Sequence, residues 1–358
     1  MTLTSLVMLA SLAAAAACLT GCSASSAGPS SSSLVAPPAA TPGSWSIALH
    51  GGAGTIDKDS PKELVTAYES ALAAALDEGT RRLAAGQSAL DVAEAVVRIL
   101  EDNELFNAGR GAALTAKGTV ELDSSIMDGA TLKCGAVAGV RTVKNPISQA
   151  RLVMLKTPHV LLAGDGAEDF ATSQGVTRVP NDSFITPRRR KMLDDHLKEQ
   201  AAKPAAAASP LPIDTLAPAS PQHRFGTVGC VVRDTKGNLA AATSTGGMTG
   251  KRFGRIGDSP LIGAGNYASN TTCAISCTGT GEQFIRHGVA RMVAARMELA
   301  GESVDQAARH LVFKTLSPDD GGLIAVSRDG SISMPYNSEG MFRAAASSGG
   351  LRLVKIWE

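Results

Sequence analysis

Thr227 follows Gly226 at the start of a short apolar run, Val228-Gly229-Cys230-Val231-Val232. A threonine hydroxyl is a poor nucleophile unless a base lies beside it. If the Gly226–Thr227 peptide bond is broken, Thr227 gains a free α-amine. A pKa of about 7.7–8.0 lets that amine act as the base near neutral pH. The β-branch of threonine limits χ1 and helps to hold Oγ1 in one orientation. Gly226 tolerates the unusual backbone that attack of Oγ1 on its own preceding carbonyl requires. Taken alone, Thr227 also reads as an ordinary strand threonine. Arg255 and Asp258 lie three residues apart in a glycine-rich segment. Arg binds carboxylates bidentately and Asp accepts from an ammonium, so the pair suits both charged ends of an amino-acid-like ligand. It would equally serve as a surface ion pair. Thr278-Gly279-Thr280-Gly281 precedes a helical pattern. Hydroxyl and backbone N–H groups there can face an oxyanion, cap the helix, or do both.

Secondary elements must bring these residues together. Ser44–Leu49 alternates like a strand and runs into a glycine-rich turn, His50-Gly51-Gly52-Ala53-Gly54. Ser60-Pro61-Lys62-Glu63 matches a capping box, and a helix is expected to about Leu83 with Leu64, Tyr68 and Leu72 on one face. Ser88 opens a second helix to about Leu100. Residues 110–165 read as short strands with a helix near Asn145–Met154. Phe225–Val232 and Leu239–Thr245 form a hairpin around the turn at Asp234–Asn238. A helix from about Glu282 to Leu299 closes the unit. Between the helical part and Thr227, residues 198–222 are rich in Ala and Pro and read as a linker. Its end must swing away for Thr227 to become a chain terminus.

Eight motifs occur in order between Trp45 and Arg343: His50-Gly51-Gly52-Ala53-Gly54, Phe106-Asn107-Ala108-Gly109, Met127-Asp128-Gly129, Gly226-Thr227-Val228-Gly229, Thr243-Ser244-Thr245-Gly246-Gly247, Gly254-Arg255-Ile256-Gly257-Asp258-Ser259-Pro260, Thr278-Gly279-Thr280-Gly281 and Asn337-Ser338-Glu339-Gly340-Met341. With them the chain resembles the plant-type asparaginase/isoaspartyl peptidases of the N-terminal-nucleophile hydrolase superfamily. The resemblance implies an α+β fold, a four-layer αββα sandwich. It implies autocleavage between Gly226 and Thr227, giving an α-subunit over 45–226 and a β-subunit over 227–358. The implied reaction is hydrolysis of β-aspartyl dipeptides and L-asparagine by Thr227, with no cofactor for the chemistry. Thr245 would orient or polarise Thr227, Asn107 would support the site, Arg255 and Asp258 would bind substrate, and Thr278 and Gly279 would form the oxyanion hole. A structural sodium ion would be held by backbone carbonyls of Leu100, Glu101, Asn103, Phe106, Ala108 and Arg110, since main-chain oxygens suit a hard cation. A dimer of αβ heterodimers is the implied assembly. A glycosylasparaginase is the nearest alternative. Such relatives carry Thr-Gly-Asp-Gly and Ser-Thr-Asn-Gly where this chain has Thr278-Gly279-Thr280-Gly281 and Ser244-Thr245-Gly246-Gly247. A non-catalytic surface binding protein on the same fold is the alternative of another class.

The 358 residues carry 34 Lys+Arg against 33 Asp+Glu. That balance argues against a nucleic-acid partner or a polybasic membrane surface. No charged residue precedes Asp57. Leu6–Leu19 is apolar, too short to span a bilayer, and reads as the h-region of a signal peptide over 1–21. Leu19-Thr20-Gly21-Cys22 resembles a lipobox, which implies lipidation of Cys22 and a periplasmic or membrane-anchored location. The n-region lacks the usual positive charge, and without a working signal the protein stays cytoplasmic. Residues 22–44 read as a flexible tether. The six histidines show no metal-ligand spacing, and His50 reads as structural. Cys273 and Cys277 are too far apart on a strand for a disulfide, while Cys134 and Cys230 read as buried thiols.

Overall fold

The structure is a computed structural model that describes residues 43–54, 58–202 and 226–358. The signal segment, Cys22, the tether up to residue 42 and residues 203–222 of the linker lie outside the described residues. In chain order the elements are β1 (Ser46–Ala53), α1 (Lys62–Ala84), α2 (Ala89–Glu101), β2 (Leu122–Asp128), β3 (Cys134–Val140), α3 (Pro146–Lys156), β4 (Leu161–Ala163), α4 (Gly164–Ser173) and α5 (Pro187–Ala202). After the linker come β5 (Val228–Arg233), β6 (Leu239–Thr245), β7 (Asn266–Ala268), β8 (Cys273–Gly279), α6 (Gly281–His287), α7 (Val289–Ala300), α8 (Val304–His310), β9 (Gly321–Ser327), β10 (Ile332–Ser333), β11 (Met341–Ser347) and β12 (Arg352–Lys355).

Two sheets form the centre. The larger runs β12-β11-β1-β5-β6-β2-β3-β4 and the smaller β10-β9-β8-β7. The period-2 alternation of each strand decides the layering. On one face of the large sheet Ile47, Leu49, Val228, Cys230, Val232, Ala240 and Ala242 pack against α1 and α2 through Leu72, Leu76, Val92 and Val96. Their neighbours Ala48, Val231 and Ala241 point the other way and meet Ala274, Ile324 and Val326 of the small sheet. Cys273, Ile275, Cys277, Leu323 and Ala325 then face Val293, Ala307 and Leu311 outside. The result is the expected αββα sandwich.

The layer between the sheets is not uniform. Continuing each strand along that same face, Ala48 gives way to His50, Ala241 to Thr243 and Thr245, Met127 to Ser125 and Asp123, and Ala274 to Ser276 and Thr278. The register keeps these changes at one end, with Ser125 opposite Thr243 and Asp123 opposite Thr245. All of these polar residues are buried. Burying so many hydroxyls away from water is costly unless they bond one another, and this polar end is where Thr227 emerges.

Several expected boundaries shift. The glycines after His50 do not form a turn but continue β1 to Ala53, with an irregularity between His50 and Gly52 in its pairing with β11. The Ser60 capping box does not form: Pro61 occupies the cap position and no side chain bonds the first turn. Ser88 does cap α2, accepting from the Asp91 N–H at 3.2 Å. The single helix expected after Thr280 breaks at Gly288, which adopts φ +54° and splits it into α6 and α7. The linker begins later than expected, because 198–202 still belong to α5. After Arg343 the chain completes β11 and returns as β12 on the edge of the large sheet, Arg352 pairing with Ala346.

Candidate active site

Thr227 enters the polar end of the inter-sheet layer immediately before β5 and is 7% exposed. The β5–β6 hairpin, closed by Asp234 and Asn238, brings Thr245 alongside it. The Thr227 hydroxyl donates to Thr245 Oγ1 at 3.2 Å. Thr245 Oγ1 also accepts the Gly247 N–H at 3.0 Å. Ser259 Oγ lies 3.2 Å from Thr227 Oγ1 on another side. With the Thr227 proton directed at Thr245, Ser259 is the donor of that pair.

The residue before Thr227 is confined. A Cβ at Gly226 would fall 2.5 Å from Ala53 N and 2.6 Å from Thr278 Oγ1, and closer still to Gly52 Cα. Gly52, at φ +117°, meets Gly226 in return: a Cβ there would lie 2.5 Å from Gly226 Cα. Two bare backbones thus pass each other at the Gly226–Thr227 bond. Thr278 Oγ1 accepts the Ala53 N–H at 3.0 Å, which leaves its own proton to donate. Gly279 ends β8 with an exposed backbone at φ +149°, a region closed to other residues here by the Asp320 carbonyl.

Asn107 acts one step away. Its Nδ2 donates to Gly247 O at 2.7 Å, its Oδ1 accepts from Ala113 N at 2.7 Å, and its carbonyl accepts from Gly246 N at 3.1 Å. It therefore fastens the turn that carries Thr245. Gly246 allows this closeness, since a Cβ there would lie 2.7 Å from Asn107 Oδ1.

Arg255 and Asp258 come together with Gly281, whose Cβ would sit 2.9 Å from both Arg255 Nη2 and Asp258 Oδ1. Arg255 is bound through Nε and Nη2 to the Glu282 carboxylate, both at 2.8 Å. That leaves its Nη1–Nη2 edge for another carboxylate. Asp258 is 3% exposed, and its Oδ2 has no hydrogen-bond partner. Burial raises its pKa to about 7 against the pull of the Arg255 charge.

A family model described as Asparaginase matches residues 43–356. The chain belongs to the asparaginase family. Among relatives, an isoaspartyl peptidase of Salmonella typhimurium is 50% identical over 307 residues, 85% of this chain and 95% of that protein. A probable isoaspartyl peptidase/L-asparaginase 2 of Arabidopsis thaliana is 49% identical over 333 residues, 88% of this chain and all of that protein. A human isoaspartyl peptidase/L-asparaginase is 41% identical over 308 residues, 85% and 94% of the two chains.

In this asparaginase-family chain the six predicted site residues Thr227, Thr245, Thr278, Gly279, Arg255 and Asp258 lie at the polar end of the inter-sheet layer or on the loop and helix start that border it. Asn107 buttresses them from the loop after α2. Sequence reasoning missed four neighbours: Ser259, Glu282, Ser276 and His50. In the sequence Ser259 is one residue of the Gly254–Pro260 motif and Glu282 a helix start, and neither position points to these contacts. His50, read from the sequence as structural, is fully buried and bonded to the Thr227 carbonyl at 2.8 Å. Cys230, Cys273 and Cys277 are buried free thiols, whereas Cys134 is only half-buried, correcting the expectation for it.

The loop after α2 can be tested for the implied sodium ion. It folds back on the last turn of the helix, with Arg110 N on Glu101 O at 2.8 Å, Asn103 N on Leu100 O at 3.3 Å and Phe106 N on Asn103 O at 3.2 Å. Gly109, at φ +48°, packs directly on the Glu101 carbonyl. The proposed donors are all carbonyl oxygens, and the negative end of the α2 dipole adds to their attraction for a cation. This donor set fits a hard monovalent ion, which would brace the loop that holds Asn107.

Proposed function

We propose that this chain is a self-processing threonine hydrolase that releases aspartate from β-aspartyl dipeptides and deamidates L-asparagine. The observation that carries the reading is Thr227 Oγ1, buried within 3.2 Å of two hydroxyls while the preceding Gly226 is wedged against Gly52 and Ala53. In maturation, Oγ1 attacks the Gly226 carbonyl carbon. The C–N bond breaks, the Thr227 nitrogen takes up the hydroxyl proton, and water hydrolyses the resulting ester. Gly226 then ends in a carboxylate and Thr227 begins a new chain with a free amine.

In turnover, that amine accepts the Oγ1 proton as Oγ1 attacks the substrate's side-chain carbonyl. Thr278 Oγ1–H and the Gly279 N–H face the oxyanion. The leaving nitrogen takes the proton and departs as ammonia or an amino acid, and water releases aspartate from the ester. Arg255 offers its remaining edge to the substrate α-carboxylate, and ionised Asp258 accepts from its ammonium. Asn107, braced by the sodium loop, keeps the Thr245 turn in place. Purified protein should run as two fragments on a denaturing gel, with Thr227 the new N-terminus. It should release ammonia from asparagine and leucine from β-aspartyl-leucine. Uncleaved, inactive wild type, or a cleaved and active Thr227→Ala variant, would refute the assignment.

Three further readings belong to the proposal. Replacing sodium by choline should lower the melting temperature. Sizing of the mature enzyme should give a dimer of αβ heterodimers. Fractionation should find the protein in the membrane or periplasm, and Cys22→Ala should release it from the membrane.

A further inference from the structure

Behind the nucleophile runs a chain of buried hydrogen bonds that the mechanism above does not use. His50 Nδ1 lies 2.8 Å from the Thr227 carbonyl oxygen, and Nε2 lies 2.9 Å from Ser276 Oγ. Ser276 Oγ is 2.7 Å from Thr243 Oγ1. Asn266 Nδ2 donates to Thr243 Oγ1 at 3.0 Å. A carbonyl only accepts, so Nδ1 carries a proton. Asn266 only donates through Nδ2, so Thr243 accepts there; its own proton has two acceptors in reach, the Gly265 carbonyl at 3.4 Å and Ser276 Oγ at 2.7 Å, and the shorter bond takes it. The remaining directions follow: Thr243 donates to Ser276, Ser276 to Nε2, and Nδ1–H to Thr227. A neutral ring satisfies every link. Full burial, opposed only in part by the bond to Thr227, keeps the ring neutral, with its pKa lowered to about 3.

A separate observation points the same way. Gly229 sits opposite His50 in the β1–β5 ladder. A Cβ there would fall 2.5 Å from His50 Nε2 and closer still to Ser276 Oγ. The strand forgoes a side chain where one would break the His50–Ser276 bond. The five participants come from β1, β6, β7 and β8 and from the residue preceding β5, so the chain ties both sheets to Thr227.

We propose that His50 is a positioning residue for Thr227, its Nδ1–H holding the Thr227 carbonyl while Asn266, Thr243 and Ser276 fix the tautomer that makes this bond. The inference rests on Thr227 being the nucleophile. In the precursor, peptide bonds hold Thr227 on both sides. After cleavage only the bond to Val228 remains, and terminal residues lose order unless tied down. The His50 bond is then the tie that keeps Oγ1 and the amine aimed at substrate.

The test compares His50→Leu, which removes the donor, with His50→Asn, whose amide N–H can occupy the place of Nδ1. Fragment formation is followed on a denaturing gel, and kcat and KM on β-aspartyl-leucine. His50→Leu should still cleave, lose at least ~tenfold in kcat and keep KM within about twofold. His50→Asn should recover most of the loss. A His50→Leu enzyme with wild-type kcat overturns the proposal, as does a His50→Asn enzyme no better than His50→Leu. If His50→Leu does not fold, nitrogen NMR of the wild-type enzyme with labelled histidine decides. One ring should stay neutral and protonated at Nδ1 from acid to alkaline pH. Its absence overturns the proposal. Failure of the nucleophile assignment shows separately, as activity in Thr227→Ala.

Discussion

Adding one methyl group at Gly226 tests the geometry of self-cleavage directly. In Gly226→Ala the new Cβ would start 2.5 Å from Ala53 N and 2.6 Å from Thr278 Oγ1, and ordinary contact begins near 3.4 Å. The neighbours must therefore open by about 0.9 Å at Ala53 N and about 1.1 Å at Gly52 Cα, the nearest atom. Ala53 N and Gly52 Cα are main-chain atoms of β1, held there by pairing with Met341 and Phe342 of β11 and by the Ala53 N–H bond to Thr278. They have little freedom to retreat, so the Gly226–Thr227 peptide moves instead. Overpacking of this kind costs about 1–3 kcal/mol. A displacement near 1 Å at a reacting centre slows the reaction by roughly a hundredfold. The assay is a time course of precursor and fragments on denaturing gels, beside a thermal melt of the same samples. We expect a folded precursor, melting slightly lower, that cleaves about a hundred times more slowly than wild type. Gly52→Ala should slow cleavage as well, since it presses on the same contact from the other side. Wild-type cleavage by Gly226→Ala with an unchanged melt would show that the close passage of these backbones does not position the bond.

Arg255→Ala should leave self-cleavage intact and raise KM by about a hundredfold, because a charge-assisted bidentate contact is worth a few kcal/mol; steady-state kinetics on β-aspartyl-leucine measure it. In its proposed role Asp258 would accept the substrate ammonium only when ionised, and its pKa is raised to about 7. Accordingly kcat/KM should fall as pH drops through 7, and a pH–rate profile of Asp258→Asn should lack that inflection. Burial raises Glu101 to about 8, despite its bonds from Ser244 and Ile147. The folded state then holds a proton that the unfolded state releases near 4.5. Stability is full below the lower value and declines as pH rises towards the upper one. Melting temperature should follow that decline in wild type and flatten in Glu101→Gln.

Much of the site was legible because its residues are close in sequence or sit on one hairpin. The Thr227–Thr245 contact follows from a two-strand register, and Arg255 with Asp258 from a three-residue spacing. The period-2 alternation also encoded the layers, and with them the change from alanine to hydroxyls along the inner face. What stayed hidden depends on long-range pairing. No local pattern announces that Gly52 meets Gly226, or that His50 meets Ser276 and leaves Gly229 no room for a side chain. The bond from Glu282 to Arg255 needs the helix start to fold over the loop. The Ser60 motif failed for a local reason: proline took the cap position and brought no side-chain acceptor.

The strand order of the large sheet has a consequence for the molecule's later life. β1 lies before the proposed cut at Thr227, yet it is bonded on both edges to β11 and β5, which lie after it. Cutting the chain at Thr227 therefore releases nothing, and the two pieces can part only if the sheet melts. Before the cut, folding is an intramolecular reaction whose midpoint does not depend on concentration. After it, the same sheet must be rebuilt from two molecules, so recovery from denaturation depends on dilution. Self-cleavage, as proposed, would make assembly a one-time event, with the covalent chain serving as a temporary guide that the finished enzyme would no longer possess.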